Sequence, residues 1–273
     1  MSEKIESAGP KATNVSESVP PVETPEGERK PELIIDFIRH GTTAYGPALE
    51  QKLRDIGQDP EIFTLMPAVD GSIEDAREQL EGRVTQEGEE GLRESIRELC
   101  KRIDPKKEIV AIAHGTRTRH EQSTDIIADE LRKNGIDVVR VKPHKNLVDV
   151  QGGGWYSFVD YIMNHQGKTE ADLEAFWWEM YQDEETRSAM NAAGYENLAD
   201  VAKRTEYFVE ILRRFVRRHA LGKTLRVIAV TSDVNIEQIQ QAGIPMEERN
   251  QIWPANAEIY EVGFEALDTA TQP

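Results

Sequence analysis

Four short apolar runs recur along this chain, at Leu33–Ile38, Ile109–Ala113, Val138–Val141 and Val227–Val230, with helix-patterned stretches between them. Each run is too short for a buried helix. Each is nearly continuous in apolar residues and rich in Ile and Val, which suits a strand covered on both faces. The intervening stretches carry one apolar stripe each: Glu87 to Arg102, Glu121 to Lys133, and Val201, Thr205, Phe208, Ile211/Leu212 and Phe215 at spacings of three and four. A last run, Glu258 to Phe264, alternates and reads as an edge or antiparallel strand. Strands alternating with helices imply an α/β protein, a layered α/β/α architecture around a mostly parallel central sheet. No internal repeat is visible.

Composition narrows the function. Among 273 residues, 33 are Lys or Arg and 50 are Asp or Glu, a net charge of −17. Phosphate backbones and anionic membranes need a cationic surface, so no nucleic acid and no membrane partner is expected. The lone cysteine, Cys100, leaves neither an intramolecular disulfide nor a cysteine-rich metal site. A hydrophobic content of 38% still provides for a real core. With no long apolar stretch and no apolar leader, a soluble, cytoplasmic protein is the expectation.

Residues 1–32 are built from Ser, Glu, Pro, Lys and Thr without an aromatic residue, the composition of a disordered N-terminal tail. The folded domain is expected over 33–268. Two segments interrupt its rhythm. Residues 47–82 hold a turn at Asp70-Gly71 and a short helix in Ile73–Leu80, and residues 155–195 are helical and aromatic. Either is placed to cap the carboxyl edge of the sheet; packing of the aromatic segment against the core is the other reading.

In open α/β sheets, ligands bind beyond the carboxyl ends of the strands. Here the first strand runs into Arg39-His40-Gly41-Thr42-Thr43 and the second into His114-Gly115-Thr116-Arg117-Thr118-Arg119. The third is followed by Lys142, His144, Lys145 and Asp149, and the fourth by Thr231-Ser232-Asp233. Arginines and histidines gathered at one sheet edge make an anion site by inventory, because guanidinium forks pair bidentately with phosphate or carboxylate. Of the remaining histidines, His120, His165 and His219 belong to no strand-end cluster and read as packed or solvated.

The stretch Ile34 to Thr43 resembles the strand and Arg-His-Gly signature of the histidine phosphatase, or phosphoglycerate mutase-like, superfamily. Gly82-Arg83-Val84-Thr85-Gln86-Glu87-Gly88 is similar to that family's Gly-Arg-Leu-Thr-Glu-x-Gly run. Arg119 to Ile127 resembles the segment with the second phosphate arginine, and Leu147-Val148-Asp149 with Gly153 and Trp155 the segment with the acid. Gly194-Tyr195-Glu196-Asn197-Leu198 with Arg204, and Asn256-Ala257-Glu258-Ile259, complete a likeness that keeps its order from Leu33 to Phe264.

What the resemblance implies is a metal-free, cofactor-free phosphomonoesterase. His40 would take the phosphoryl group as a phosphohistidine, and Asp149 would act as general acid and then base. Arg39 and Arg119 would grip the phosphoryl oxygens, with Thr43 and Ser232 as further substrate contacts. Departures accompany the likeness. Ser232 stands where the family has a second histidine, Asp233 adds an anion beside it, Gly46 replaces a common asparagine, and the acid is Asp rather than Glu. His114 is a candidate to compensate for the missing histidine, and His144 with Lys145 to form a cation pair facing substrate. Three functions stay open: the phosphatase, a catalytically impaired relative that binds a phosphorylated ligand or protein partner, and a phosphoglycerate mutase. A small phosphorylated molecule is the expected ligand in each.

Overall fold

The apolar runs become the strands of one five-stranded sheet. The computed structural model describes residues 32–55, 69–148, 161, 173–219, 221–250, 252 and 254–264. In chain order the elements are β1 (Leu33–Arg39), β2 (Thr43–Ala44), α1 (Pro47–Asp55), α2 (Ala76–Glu81), β3 (Arg83–Val84), α3 (Gln86–Cys100), β4 (Glu108–His114), α4 (Thr118–Lys133) and β5 (Val138–Arg140). A 3₁₀ turn at Lys145–Leu147 precedes α5 (Leu173–Gln182), α6 (Glu184–Ala192), α7 (Leu198–His219), β6 (Thr224–Thr231), α8 (Asp233–Gln240), a second 3₁₀ turn at Met246–Glu248, and β7 (Ile259–Phe264).

The strand order is β5-β4-β6-β1-β7, parallel throughout except for β7, which runs antiparallel at the edge. Both faces of β1, β4 and β6 are covered, which is why these strands read as continuous apolar runs. The run Val138–Val141 was expected to be covered likewise, but β5 is an edge strand and leaves Val139 and the following Val141 exposed. Leu33, Ile35, Phe37, Leu225, Val227 and Ala229 pack with Phe208, Val209 and Val216 of α7 and Ile236 and Ile239 of α8. Ile38, Val110, Ile112, Ile228 and Val230 pack on the other side with Leu92, Ile96 and Leu99 of α3 and Ile127, Ala128 and Leu131 of α4. The layered, mostly parallel α/β architecture expected from the sequence is the one observed.

One row of the α3/α4 face is polar. Arg226, buried in β6, donates from Nη1 to both carboxylate oxygens of Asp36 at 3.0 and 2.8 Å and to Glu261 Oε2 at 3.0 Å. Its Nε donates to Glu108 Oε2 at 2.6 Å, and Arg102 reaches Glu261 from outside at 2.9 Å. Three strands besides its own thus supply the counter-charges of one guanidinium.

Some boundaries differ from expectation, each for a local reason. The helix expected in Ile73–Leu80 begins at Ala76, because the Asp75 side chain accepts from the Arg77 and Glu78 amides and caps it there. Helix α4 starts at Thr118 rather than Glu121. On α7 it is Val216, buried, that closes the stripe; Phe215 is exposed and lies against His219. Helix α8 was not expected, since Asn235, Glu237 and Gln238 give it no apolar stripe, yet all three are buried. The described part of 155–195 forms a small core of its own, with Tyr161, Phe176, Met180, Tyr181 and Met190 against Leu198, Val201 and Val234. Residues 1–31, including nearly all of the expected tail, lie outside the described residues, as do Asp149, His165 and Trp155.

Candidate active site

Strand register brings the site residues to one edge. Arg39 pairs with Thr231 across β1 and β6, and His114 pairs with Val230 across β4 and β6. Just past the sheet, the His40 amide donates to Thr231 O at 3.0 Å and the Gly115 amide to Val230 O at 3.0 Å. The ends of β1, β6 and β4 therefore stand side by side, with β6 in the middle and His40 just past the end of β1.

The chain after His40 is held by close backbone packing. A Cβ on Gly41 would lie 2.7 Å from Gly88 O, and one on Gly88 would lie 2.4 Å from Thr42 O. The turn that carries His40 and the first turn of α3 touch backbone to backbone, and only glycine permits that at either position. Thr85 caps α3 by accepting from the Gly88 amide at 3.1 Å, which fixes that contact.

His40 is buried and bonded at both ring nitrogens. Its Nδ1 is 2.9 Å from Gly41 O, and Arg119 Nε is 3.0 Å from its Nε2. A carbonyl only accepts and a guanidinium only donates, so the proton sits on Nδ1 and the lone pair on Nε2. Burial, and after it the Arg119 guanidinium and the neighbouring His120, hold the imidazole well below the usual histidine range. His40 is thus a neutral imidazole with one defined nucleophilic nitrogen.

The two arginines are held in different ways. Arg119 also donates from Nη1 to Glu81 O at 2.8 Å. Glu81, at the end of α2, accepts from both N and Oγ1 of Thr118 at 2.7 Å, so α2 caps the start of α4 from outside. Ser123 Oγ accepts from the Gly41 amide at 3.3 Å and donates to Arg119 O at 2.7 Å, linking the turn after His40 to α4. Arg39 donates from Nη1 to Pro254 O at 2.6 Å, and its Nη2 is 2.8 Å from Asp233 Oδ2. Its Nε is buried without a partner.

Ser232 is buried at the N-cap of α8, and its hydroxyl donates to Asn235 Oδ1 at 2.8 Å. His114 is buried with Nδ1 2.8 Å from Gly115 O. Thr43 is buried in β2 with its Cβ beside Gly82, in the small sheet rather than at the ends of β1, β4 and β6. His144 accepts from the Asn146 amide at 3.2 Å and packs edge-on against Phe208. Burial and the adjacent Lys145 lower its pKa, so it is a neutral capping group rather than half of a cation pair. Although Asp149 lies outside the described residues, the chain just before it is gripped. Arg204 forms a two-pronged pair with Glu196 at 2.7 and 3.0 Å and donates to Val148 O at 2.6 Å. Among the described residues, no group of three or more His, Cys, Asp or Glu is arranged to hold a metal ion, and no helix is long and apolar enough to cross a membrane.

No protein-family model matches the chain, and no curated protein matches it. Solved structures do. A phosphoglycerate mutase from Bacillus anthracis superposes with a TM-score of 0.51 at 11% identity, covering 87% of this chain and 90% of that one. The fold is phosphoglycerate mutase-like. A mycobacterial glucosyl-3-phosphoglycerate phosphatase with bound VO3 follows at 0.47 and 14% identity, covering 84% and 90%. A phosphoserine phosphatase from Entamoeba histolytica, in complex with 3-phosphoglyceric acid, follows at 0.44 and 12%, covering 87% and 95%.

On this phosphoglycerate mutase-like sheet, Arg39, His40, Arg119, His114 and Ser232 are brought to one edge, whereas Thr43 joins the small sheet with β3. Sequence reasoning missed His120. Its ring lies against His40, with centroids 5.4 Å apart and planes inclined by 37°. It also missed the contributions of Glu81 and Pro254, which act through backbone carbonyls that no side-chain pattern reveals. Gln122 and Glu78, joined at 2.6 Å, extend the α2–α4 contact and follow helix geometry only once α2 is placed.

Proposed function

We propose that the chain is a phosphomonoesterase that works through a phosphohistidine on His40. The observation that carries this reading is the state of His40: neutral, its proton on Nδ1 and its Nε2 lone pair facing Arg119, with Arg39 on the adjacent strand end. In the proposed reaction the Nε2 lone pair forms the N–P bond while the P–O bond to the leaving alkoxide breaks in line. Asp149 supplies the proton that the alkoxide takes up, then accepts one from the water that cleaves the N–P bond. Arg119 moves from Nε2 to the phosphoryl oxygens, and the unpartnered Nε of Arg39 is a further donor for them. The small phosphorylated ligand is a monoester, in keeping with the names of the phosphatases whose fold the chain resembles. The cytoplasm and a metal-free, cofactor-free site complete the reading.

A second reading rests on Ser232 and Asp233. With the Ser232 hydroxyl given to Asn235 and Asp233 paired to Arg39, the pocket offers a phosphoryl dianion less positive charge than two arginines alone would. That favours a relative that holds a phosphorylated ligand without turning it over. Incubation with an aryl phosphate separates the two. The phosphatase releases the phenol and leaves an acid-labile phosphate on His40, and His40→Asn reduces release at least about 10³-fold. Phosphate or vanadate binding, seen as a concentration-dependent rise in Tm, without phenol release selects the second reading.

A further inference from the structure

His120 is the polar side chain that the proposed reaction leaves unused. It is completely buried, and neither Nδ1 nor Nε2 has a hydrogen-bond partner. One imidazole nitrogen always carries a proton, so a buried donor and a buried acceptor are both unsatisfied here, a state that stabilising selection alone removes. A side chain without polar atoms would carry no such penalty. Something other than fold stability therefore accounts for a histidine at this position.

The slot it fills is narrow. On one side stands the His40 ring, 5.4 Å away between centroids. The His120 ring also meets the backbone at Gly115, so close that a Cβ there would lie 2.2 Å from His120 Nδ1, 2.8 Å from its Cε1 and 2.4 Å from Leu147 O. A planar side chain passes through such a slot, and a branched aliphatic one is thicker. Meanwhile His40 is held at its two nitrogens by bonds lying in the ring plane, and hydrogen bonds are soft to bending until the angle falls below about 120°. Those two bonds leave the ring free to rock across its faces. A second ring filling the space beside it, tilted by 37°, limits that freedom.

We propose that His120 is a positioning residue for His40, a flat wedge that keeps the nucleophile's Nε2 in line with the phosphoryl site. It rests on the phosphatase reading for its catalytic consequence but not for its structural one. Charge does not oppose it. Burial, then Arg119, Arg117 and His114, keep His120 neutral, so two neutral imidazoles meet here, tilted, rather than two cations. Placing His120 behind His40 also gives Gly115 its reason: the glycine is the clearance for the wedge.

The test uses the full chain, with His120→Ala to remove the wedge and His120→Phe to keep a flat ring without nitrogens. Nitrogen-15 spectra of the His40 ring report its tautomer directly. Wild type and His120→Phe are expected to show Nδ1–H alone; in His120→Ala the ring rocks off its bonds to Gly41 O and Arg119 Nε, which together fix the tautomer, and a mixture with Nε2–H is expected. In aryl phosphate hydrolysis, His120→Ala is expected to lose about 10–100-fold in kcat with KM within about 3-fold, and His120→Phe to stay within about 5-fold of wild type. A single Nδ1–H tautomer in His120→Ala overturns the proposal, whatever the rates. So does a folded His120→Phe with mixed tautomers, since shape would then not be what acts. Should the phenyl prove too large to fold beside Gly115, the alanine spectrum alone decides. A wild type without hydrolysis sinks the phosphatase reading, and the tautomer comparison still judges His120.

Discussion

The same sheet buries two clusters of charged and titratable groups, and they are treated in opposite ways. Around Arg226 each described charge is answered: two oxygens of Asp36, one of Glu108 and one of Glu261 surround a single guanidinium, and Arg102 closes the outer side. At the carboxyl edge, groups of similar burial are left incomplete. Arg39 Nε and both nitrogens of His120 have no partner, and the Nε2 lone pair of His40 faces a guanidinium where a phosphoryl group is proposed to bind. Hydrogen-bond satisfaction is the normal state of a folded interior, so its local failure marks where the fold keeps capacity for something else. The first cluster is closed and structural. The second is open.

If that contrast holds, removing a charge has different consequences at the two places. Arg226→Ala strands three carboxylates, Asp36 with no exposure at all, and should cost about 3–5 kcal/mol of stability, measured by urea unfolding. A loss below about 1 kcal/mol would show that the cluster relaxes into water and is not the closed unit described.

Proton linkage gives the next largest effect. Burial, opposed by the Ile252 amide and Tyr181, pushes Glu237 in α8 up to about 7, while an unfolded glutamate titrates near 4.5. Because its folded value is raised, the folded state keeps a proton that the unfolded state has lost. The stability contributed by Glu237 is full below about pH 4.5 and fades by about 3 kcal/mol as pH rises to 7. His40 and His120 are held below 6.5, so their contribution is present above 6.5 and fades as pH falls. The two trends oppose each other between about pH 4.5 and 6.5. Asp36, pushed up to about 6 by burial, adds a smaller decline of the same sign as that of Glu237, so Glu237→Gln should remove about 3 kcal/mol of the fall in stability between about pH 4.5 and 7. An unchanged profile would mean that Glu237 ionises freely despite its burial.

The smallest effect is at the pocket mouth. Asp233→Asn frees Arg39 Nη2 from a carboxylate and should tighten vanadate binding about 5–10-fold, with stability altered by less than about 1 kcal/mol. Thermal-shift titration reads both quantities. Weaker vanadate binding would show that Asp233 orients Arg39 for the anion instead of competing with it, and the pocket would then be a finished unit like the Arg226 cluster.

The strands were legible in the sequence because both faces of the sheet are dry, which leaves an unbroken apolar signature at β1, β4 and β6. The stripes of α3, α4 and most of α7 followed from helical periodicity. Helix α8 escaped because buried amides and a carboxyl are interleaved with Val234, Ile236 and Ile239 and are satisfied from outside the helix, with Arg249 donating to Gln238 Oε1 at 2.7 Å and Glu237 accepting from the Ile252 amide at 2.6 Å. Such interleaving leaves no hydrophobic period to read. At the site, Arg39, His40 and Arg119 were visible because each follows a strand end. His120 was not, since one residue after Arg119 on a helix points about 100° away and only the coordinates show what lies there. The pairing of Asp233 with Arg39 was foreshadowed only as an added anion.

The contact between Gly41 and Gly88 has a consequence for descent. The turn that carries His40 and the first turn of α3 are joined without side chains, so neither position can drift on its own: a methyl group at one collides with the main chain of the other. Side-chain pairs can be exchanged by compensating replacements, but two backbones in contact offer nothing to exchange. In lineages that have parted from this chain almost everywhere else, glycine at both positions is the expected inheritance, kept together or lost together with the turn itself.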